Sequence, residues 1–294
     1  MTFQPRNAAH RLAVWGSPIA HSRSPLLHDA AAAILGSGWS YGRFEVDEDG
    51  FDAAFDALDT QWRGLSLTMP LKRRAAERAH ELDEAARLTA SVNTLVLGAE
   101  GSTHFGGNTD VAGMVGACQL AGIPGAEHLV LLGGGATAAS ALVAGHRLGV
   151  RTVRVHLRDP RKAEDLRPLT ETLGLRLDVA PLDDPLLLPE GTLVISTLPG
   201  PAQGAVPLTE DTFAGAFVMD VAYDPWPSRI ARAATAAGAP LANGLAMLAL
   251  QAVEQQALFR TGTSDGLGPQ RAVVTRAMLE SVGLDERGAI AAAH

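Results

Sequence analysis

Short apolar runs, each closed off by Gly, Asn, Asp or Pro, constrain this chain more than any other feature. They fall at residues 12–15, 65–68, 94–97, 129–132, 152–157, 193–196 and 217–221, and are rich in Val, Leu and Ile. Runs of that length and content read as buried strands. Ala- and Leu-rich stretches with helical spacing lie between them, at residues 26–35, 72–88, 111–121 and 136–148. Strand and helix in alternation build sheets covered by helices, so the fold class is α/β with largely parallel sheets. There is no repeat of fixed period and no low-complexity tract, which sets aside solenoids, propellers and collagen-like rods.

Two sub-patterns divide the chain. Residues 129–221 read as consecutive strand–helix units of dinucleotide-domain size, and the first hundred or so residues form another set. The boundaries are expected near Thr109 and Asn243. The first domain is then 1–108, completed by C-terminal helices within 243–294, and the second is 109–242. Those closing helices are expected at about 245–259 and 269–281, with a Gly-containing loop at 261–268 and a tail, 285–294, that frays.

Composition narrows the partners. A chain of 294 residues with 47% hydrophobic and 19% charged residues can bury a sizeable core, which rules out disorder throughout. Its 24 basic and 32 acidic residues give a net charge of −8, with the acids spread along the chain, so nucleic acid is excluded as a partner. One cysteine, Cys118, makes no internal disulfide, and no CxxC or HExxH spacing offers a metal site. Residues 1–11 lack the apolar core of a signal peptide, and no stretch reaches the ~18 apolar residues of a membrane span. A cytoplasmic protein with a small-molecule partner, off the membrane and acting as a monomer or homodimer, is the expectation.

The segment LLGGGATAAS carries the first chemical signal. Gly133, Gly135 and Ala138 fit the G-x-G-x-x-G/A turn between a strand and a helix, with Gly134 and Ala136 inside it. Such a turn lets a pyrophosphate approach unpaired amides at the helix N-terminus. The next strand ends near Leu157, where HLRDPRKAEDL follows and where an adenosine ribose is met. Asp159 suits the 2′-hydroxyl of NAD, whereas Arg158, Arg161 and Lys162 suit the 2′-phosphate of NADP. Asp159 followed by Pro160 also has the form of a helix N-cap with proline at the first helical position. The balance favours NADP, with NAD as the alternative.

The first domain carries a second set. Ser22 and Ser24 flank Arg23 after the first strand, and hydroxyls at a helix N-terminus suit a carboxylate; Ser24-Pro25 is equally an N-cap pair. Thr68 and Lys72 follow a buried strand in SLTMPLK. Asn93 and Asp110 mark strand and helix boundaries in SVNTL and GGNTD.

Taken in order, SPIAHSRSPLLHDA, SLTMPLK, SVNTL, GGNTD, GGGATAAS, RDPRKA, STLPG, DVAYDPWPS and NGLAMLALQAVEQ resemble the shikimate dehydrogenase family over nearly the whole chain. The resemblance implies an N-terminal substrate domain and a Rossmann-type NADP domain with a cleft between them. It implies reversible, NADP-dependent reduction of 3-dehydroshikimate to shikimate, an oxidoreductase step towards chorismate and the aromatic amino acids. By the same token Ser22 and Ser24, with Tyr223, match positions for the substrate carboxylate. Thr68, Asn93 and Gln251 match positions for ring hydroxyls, and Lys72 and Asp110 match the catalytic pair. Gly133, Gly134, Gly135, Ala136, Arg158, Asp159 and Gly244 match the cofactor site. A lysine ammonium can deliver the proton that a ketone oxygen needs as hydride reaches carbon, and Asp110 would orient and balance it.

The chain departs from the family pattern in places. Ser66 stands where Asn is frequent, Ala136 replaces a glycine, and Leu157-Arg158-Asp159 replaces Asn-Arg-Thr. These departures leave open an NAD-dependent quinate/shikimate dehydrogenase, and from a different class the same fold could serve as a non-catalytic module that senses shikimate or quinate. Retention of both Lys72 and Asp110 argues against the sensor, because recognition alone does not require that pair.

Overall fold

The structure, a computed structural model, describes residues 10–98 and 104–290. The expectation of no leader rests largely on residues 1–9, and the end of the tail is 291–294; both lie outside the described residues. By its internal contacts the chain forms two compact units. One runs up to Thr109 and includes Ala249–Gly283; the other comprises Asp110–Leu248 and the residues from Leu284.

The first unit contains β1 (Arg11–Gly16), α1 (Ser24–Leu35), β2 (Ser40–Glu45), α2 (Phe51–Asp56), β3 (Trp62–Leu67), α3 (Lys72–Arg78), β4 (Glu81–Leu82), α4 (Glu84–Thr89), β5 (Thr94–Val96) and β6 (Phe105–Gly107). They form a six-stranded sheet in the order β2-β1-β3-β5-β6-β4. Alternate residues of its central strands go to opposite faces. Trp15, Leu65, Leu67 and Leu95 pack with Phe51, Phe55 and Leu71 on one side, while Leu12 and Val96 meet Leu258 and Phe259 on the other. Burial on both faces is why these strands are almost continuously apolar.

This sheet is not uniformly parallel. β1 runs parallel to β2 and β3, but β5 is antiparallel to both β3 and β6, placing Thr94 opposite Ser66 and Gly107. The start of β5 and the ends of β1, β3 and β6 therefore share one edge. Two further departures have local causes. β2 escapes sequence patterning because SYGRFE is an edge strand with no buried residue. The helix expected over 72–88 is two helices, because Asp83 caps a new one by accepting from the Ala86 N–H (2.6 Å), and Glu81 and Leu82 pair with Phe105 and Gly106.

The second unit holds α5 (Asp110–Leu120), β7 (His128–Leu132), α6 (Ala136–Arg147), β8 (Thr152–Leu157), α7 (Arg167–Thr172), β9 (Arg176–Pro181), β10 (Leu193–Ser196), β11 (Phe217–Asp220), α8 (Arg229–Ala236) and β12 (Leu241–Asn243). Its sheet is parallel throughout, in the order β12-β11-β10-β7-β8-β9. Numbered within the unit, that is the doubly wound order 3-2-1-4-5-6, whose direction of winding switches beside β7. Val130, Leu132, Val194, Phe213, Val218 and Ile230 form part of its core.

Two long helices close the chain, α9 (Gly244–Thr261) and α10 (Arg271–Ser281). No helix among the described residues is long and apolar enough to cross a membrane. The tail does not fray where expected: Leu284 and Ile290 form an antiparallel bridge, Asp285 Oδ1 accepts from the Arg287 and Ala289 N–H groups (both 2.9 Å), and Asn243 Nδ2 donates to the Gly288 carbonyl (2.6 Å). A polar turn can thus be held by side-chain acceptors that helical periodicity does not reveal.

Gly64 shows how closely the first sheet meets α9. A Cβ there would lie 2.5 Å from the Phe259 ring and 2.6 Å from the Leu95 carbonyl oxygen. Gly64→Ala is expected to lower stability by about 1–3 kcal/mol, as overpacking does. A urea denaturation midpoint equal to wild type would contradict that packing.

Candidate active site

The shared edge of the first sheet gathers the polar motifs of its unit. Gly16 ends β1 against the loop after β3, where a Cβ would meet Thr68 Cγ2 at 2.3 Å and the Met69 carbonyl oxygen at 2.8 Å. The Ser17 N–H donates to that carbonyl (3.0 Å), and the Thr68 N–H donates to Trp15 (2.9 Å). The serine loop after β1 is held by Arg43, whose Nη1 donates to the Ala20 (2.5 Å) and Ser22 (3.3 Å) carbonyls.

Ser22 and Ser24 divide the capping work differently from the sequence expectation. Arg23 occupies the N-cap position, and the Ser24 side chain caps nothing. The Ser24 N–H instead donates to Ser22 Oγ (3.3 Å), so Ser22 takes a capping contact that sequence reasoning assigned to Ser24. Ser24 is buried.

Asn93 is the hub of this edge. Its Oδ1 accepts from the Thr109 N–H (2.9 Å) and the Thr94 hydroxyl (2.8 Å), while Nδ2 donates to Thr109 Oγ1 (2.9 Å) and Gln251 Oε1 (3.2 Å). Its backbone is held as firmly, with the Leu67 N–H donating to its carbonyl (2.7 Å) and its own N–H to Gly107 (3.0 Å). Next to it, the Val92 N–H donates to the carbonyl of Lys72 (2.9 Å), which ties the first residue of α3 to the same segment. Thr68 and Lys72 are half-buried.

Behind the hub lies a buried network that sequence reasoning did not find. Tyr41 donates to Ser66 Oγ (2.7 Å), and Ser66 donates to Gln255 Oε1 (2.9 Å). Gln255 also accepts from His28 Nε2 (3.2 Å) and donates through Nε2 to the Asn93 carbonyl (3.1 Å). Gln256 Nε2 donates to His28 Nδ1 (2.8 Å), and the His28 ring stacks on Tyr41 at 3.9 Å. The spacing of Gln251 and Gln255, one helical turn apart, is the available signal, because it puts both amides on one face of α9. The hydroxyl proton of Ser66, the residue that replaces a frequent Asn, is committed to Gln255.

In the second unit, the Gly-rich turn joins β7 to α6 at the switch point. Gly133 has φ +104°, and a Cβ there would lie 2.6 Å from Thr197 Oγ1; at Gly134 a Cβ would meet Leu157 Cδ2 at 2.6 Å. Gly135 is different. It caps α6 at φ −82°, and a Cβ would find nothing within 4 Å. Protein contacts account for the first two glycines and not the third, whose open side at the helix N-terminus fits a phosphate. Gly244 begins α9 because a Cβ would strike the Val221 carbonyl oxygen at 2.2 Å.

After β8, Asp159 is an N-cap: its carboxylate accepts from the Arg161 N–H (3.1 Å) and is gripped by Arg161 Nε and Nη2, both at 2.9 Å. Those hydrogen bonds hold its carboxyl below the usual range. Arg158 and Lys162 are exposed on the same stretch. Tyr223, half-buried, follows β11, where buried Asp220 accepts from Gln203 Nε2 (2.9 Å), the Ala222 N–H (3.2 Å) and the Ser228 hydroxyl. Desolvation raises the Asp220 pKa. Asp110 is a buried first residue of α5, directly after Thr109. Among the described residues no group of three or more His, Cys, Asp or Glu is placed to hold a metal ion.

A doubly wound sheet with this turn at its switch point, accompanied by an α/β unit with a polar edge, defines a dinucleotide-dependent oxidoreductase. Residues 14–95 match the family model for the shikimate dehydrogenase substrate binding domain. The NADP(+) shikimate dehydrogenase of Rubrobacter xylanophilus is 35% identical over 87% of this chain and 92% of its own length, and that of Caulobacter vibrioides is 37% identical over 82% and 86%. Among solved structures, Mycobacterium tuberculosis shikimate dehydrogenase is 33% identical with a TM-score of 0.78, covering 92% of this chain and 99% of that one. The Thermus thermophilus enzyme in complex with NADP(H) and shikimate is 30% identical with a TM-score of 0.77, over 92% and 99%. The chain belongs to the shikimate dehydrogenase family.

The buried network has a pH signature. Desolvation lowers the His28 pKa from 6.5 to about 3. Protonation would also set an Nδ1–H against the Gln256 amide donor. As pH falls from 6.5 towards 3, the unfolded chain binds a proton that the folded one refuses. Stability from this group is therefore complete above 6.5 and falls by up to about 1.4 kcal/mol per pH unit below it. Urea unfolding of wild type and His28→Gln across pH 7 to 4 should show a shallower slope for the variant; parallel slopes would refute the assignment.

Proposed function

We propose that this chain catalyses the NADP-dependent, reversible reduction of 3-dehydroshikimate to shikimate, on the route to chorismate and the aromatic amino acids. The observation that carries this reading is the shared edge of the first sheet. There the family's substrate motifs, distant in sequence, meet through Asn93 and its partners. Residues 1–108 with the closing helices form the substrate domain, and residues 109–242 the NADP domain.

Ser22 and Ser24 hold the substrate carboxylate, with Tyr223 as a further donor, and Thr68, Asn93 and Gln251 hold ring hydroxyls. Anchoring a substrate at several points fixes its reacting carbon and lowers the entropic part of the barrier. Lys72 donates a proton to the ketone oxygen in reduction and takes it back in oxidation, and Asp110 is the second catalytic residue. NADPH, when bound, supplies the hydride. Gly133, Gly134, Gly135 and Ala136 would hold the pyrophosphate and Arg158 the adenosine phosphate, with Gly244 a further cofactor-binding residue. Asp159 caps its helix and holds Arg161, an arrangement that supports NADP over NAD. The chain acts in the cytoplasm, a reading supported by its single cysteine, which is buried and free, and it acts as a monomer or homodimer.

Lys72→Ala is expected to lower kcat for shikimate oxidation by ~10²–10⁴-fold while leaving the Kd for NADP⁺ unchanged. Stopped-flow turnover and calorimetric titration would measure the two quantities separately. Near-normal turnover in that variant would remove Lys72 from the chemistry.

A further inference from the structure

The turn after β8 sets two opposite signals within a few residues. A carboxylate at the ribose end of the second strand accepts the 2′-hydroxyl of NAD and repels the 2′-phosphate of NADP. Asp159 is such a carboxylate, and the hydrogen bonds it receives keep it ionised. It does not stand alone: Arg161 Nε meets Oδ1 and Nη2 meets Oδ2, both at 2.9 Å, so each carboxylate oxygen faces one arm of a planar fork. The Arg161 side chain is 89% exposed and that of Asp159 36%. Its guanidinium therefore has its remaining N–H groups available to phosphate oxygens, on a stretch that also exposes Arg158 and Lys162.

We propose that Arg161 is a specificity-determining residue: by neutralising Asp159 and presenting its outer N–H groups, it turns a ribose-hydroxyl acceptor into part of a 2′-phosphate site. The Asp159–Arg161 pair is thus a selectivity element for the adenosine end of the cofactor. This rests on the reading above that the second unit binds NADP at its Gly-rich turn. The helix cap is a separate contribution of Asp159, because it is made by the backbone N–H of Arg161 and survives truncation of the Arg161 side chain. Exposed ion pairs contribute little to folding, so removing the guanidinium tests recognition and not stability.

Calorimetric titration with NADP⁺ and with NAD⁺, without substrate and hence without turnover, reads the proposal directly. Wild type is expected to bind NADP⁺ more tightly than NAD⁺. Arg161→Ala should reduce that ratio by about tenfold or more, through weaker NADP⁺ binding and unchanged or tighter NAD⁺ binding. Adding Asp159→Asn to Arg161→Ala should restore part of the preference for NADP⁺, since the exposed carboxylate is then gone. An unchanged ratio in Arg161→Ala would overturn the proposal, and so would a double variant no more NADP⁺-selective than the single one. Wild type binding neither nucleotide, or favouring NAD⁺, would strike the cofactor reading itself and the proposal with it.

Discussion

The side chain of Asn93 is the interaction on which the substrate unit depends. A buried primary amide must place its donors and its acceptor, because each one left unmade costs about 1–3 kcal/mol. Asn93 meets that demand with partners from segments far apart in sequence: the start of β5, the residue before α5, and α9. Satisfying one amide therefore brings together the end of β6 and the first closing helix. Gln255 repeats the device one turn along, binding the Asn93 carbonyl, Ser66 and His28. Polar groups fixed in this way are ready for a hydroxylated ligand before it arrives, which is what preorganised recognition requires.

Much of this was legible in the sequence, and the failures have specific causes. The strand at 193–196 is buried along its whole length, so its apolar run marks it residue for residue, whereas 152–157 is marked by buried Val153, Val155 and Leu157 alternating with Thr152, Arg154 and His156. β2 was not legible, since an exposed edge strand carries no such run. The continuous helix expected from Lys72 overlooked Asp83 followed by Glu84 and two alanines, a cap signal inside an apparently helical stretch. In the candidate site, the residue types and their order were readable, but their mutual contacts were not. That Ser22 rather than Ser24 accepts the capping N–H depends on where Arg43 pins the loop, and Tyr41 meets Ser66 only because β2 and β3 both flank β1.

The nucleotide unit shows the same division between pattern and contact. Its sheet order and its turn follow from alternation and from glycine spacing. The meaning of three adjacent glycines does not, because Gly133 and Gly134 yield to neighbouring side chains whereas Gly135 opens on empty space. Asp159 is the sharper case. Its charge alone points to one cofactor, whereas its contacts show a helix cap gripped by Arg161.

The chemistry proposed is oxidation of a hydroxylated ring acid by a nicotinamide nucleotide bearing a 2′-phosphate. It is tested most directly by kcat/KM for shikimate and for quinate, each with NADP⁺ and with NAD⁺, followed by the absorbance of the reduced nicotinamide. Shikimate with NADP⁺ should exceed the other three combinations. Turnover greatest with quinate and NAD⁺, or absent in all four while shikimate still binds, would contradict it.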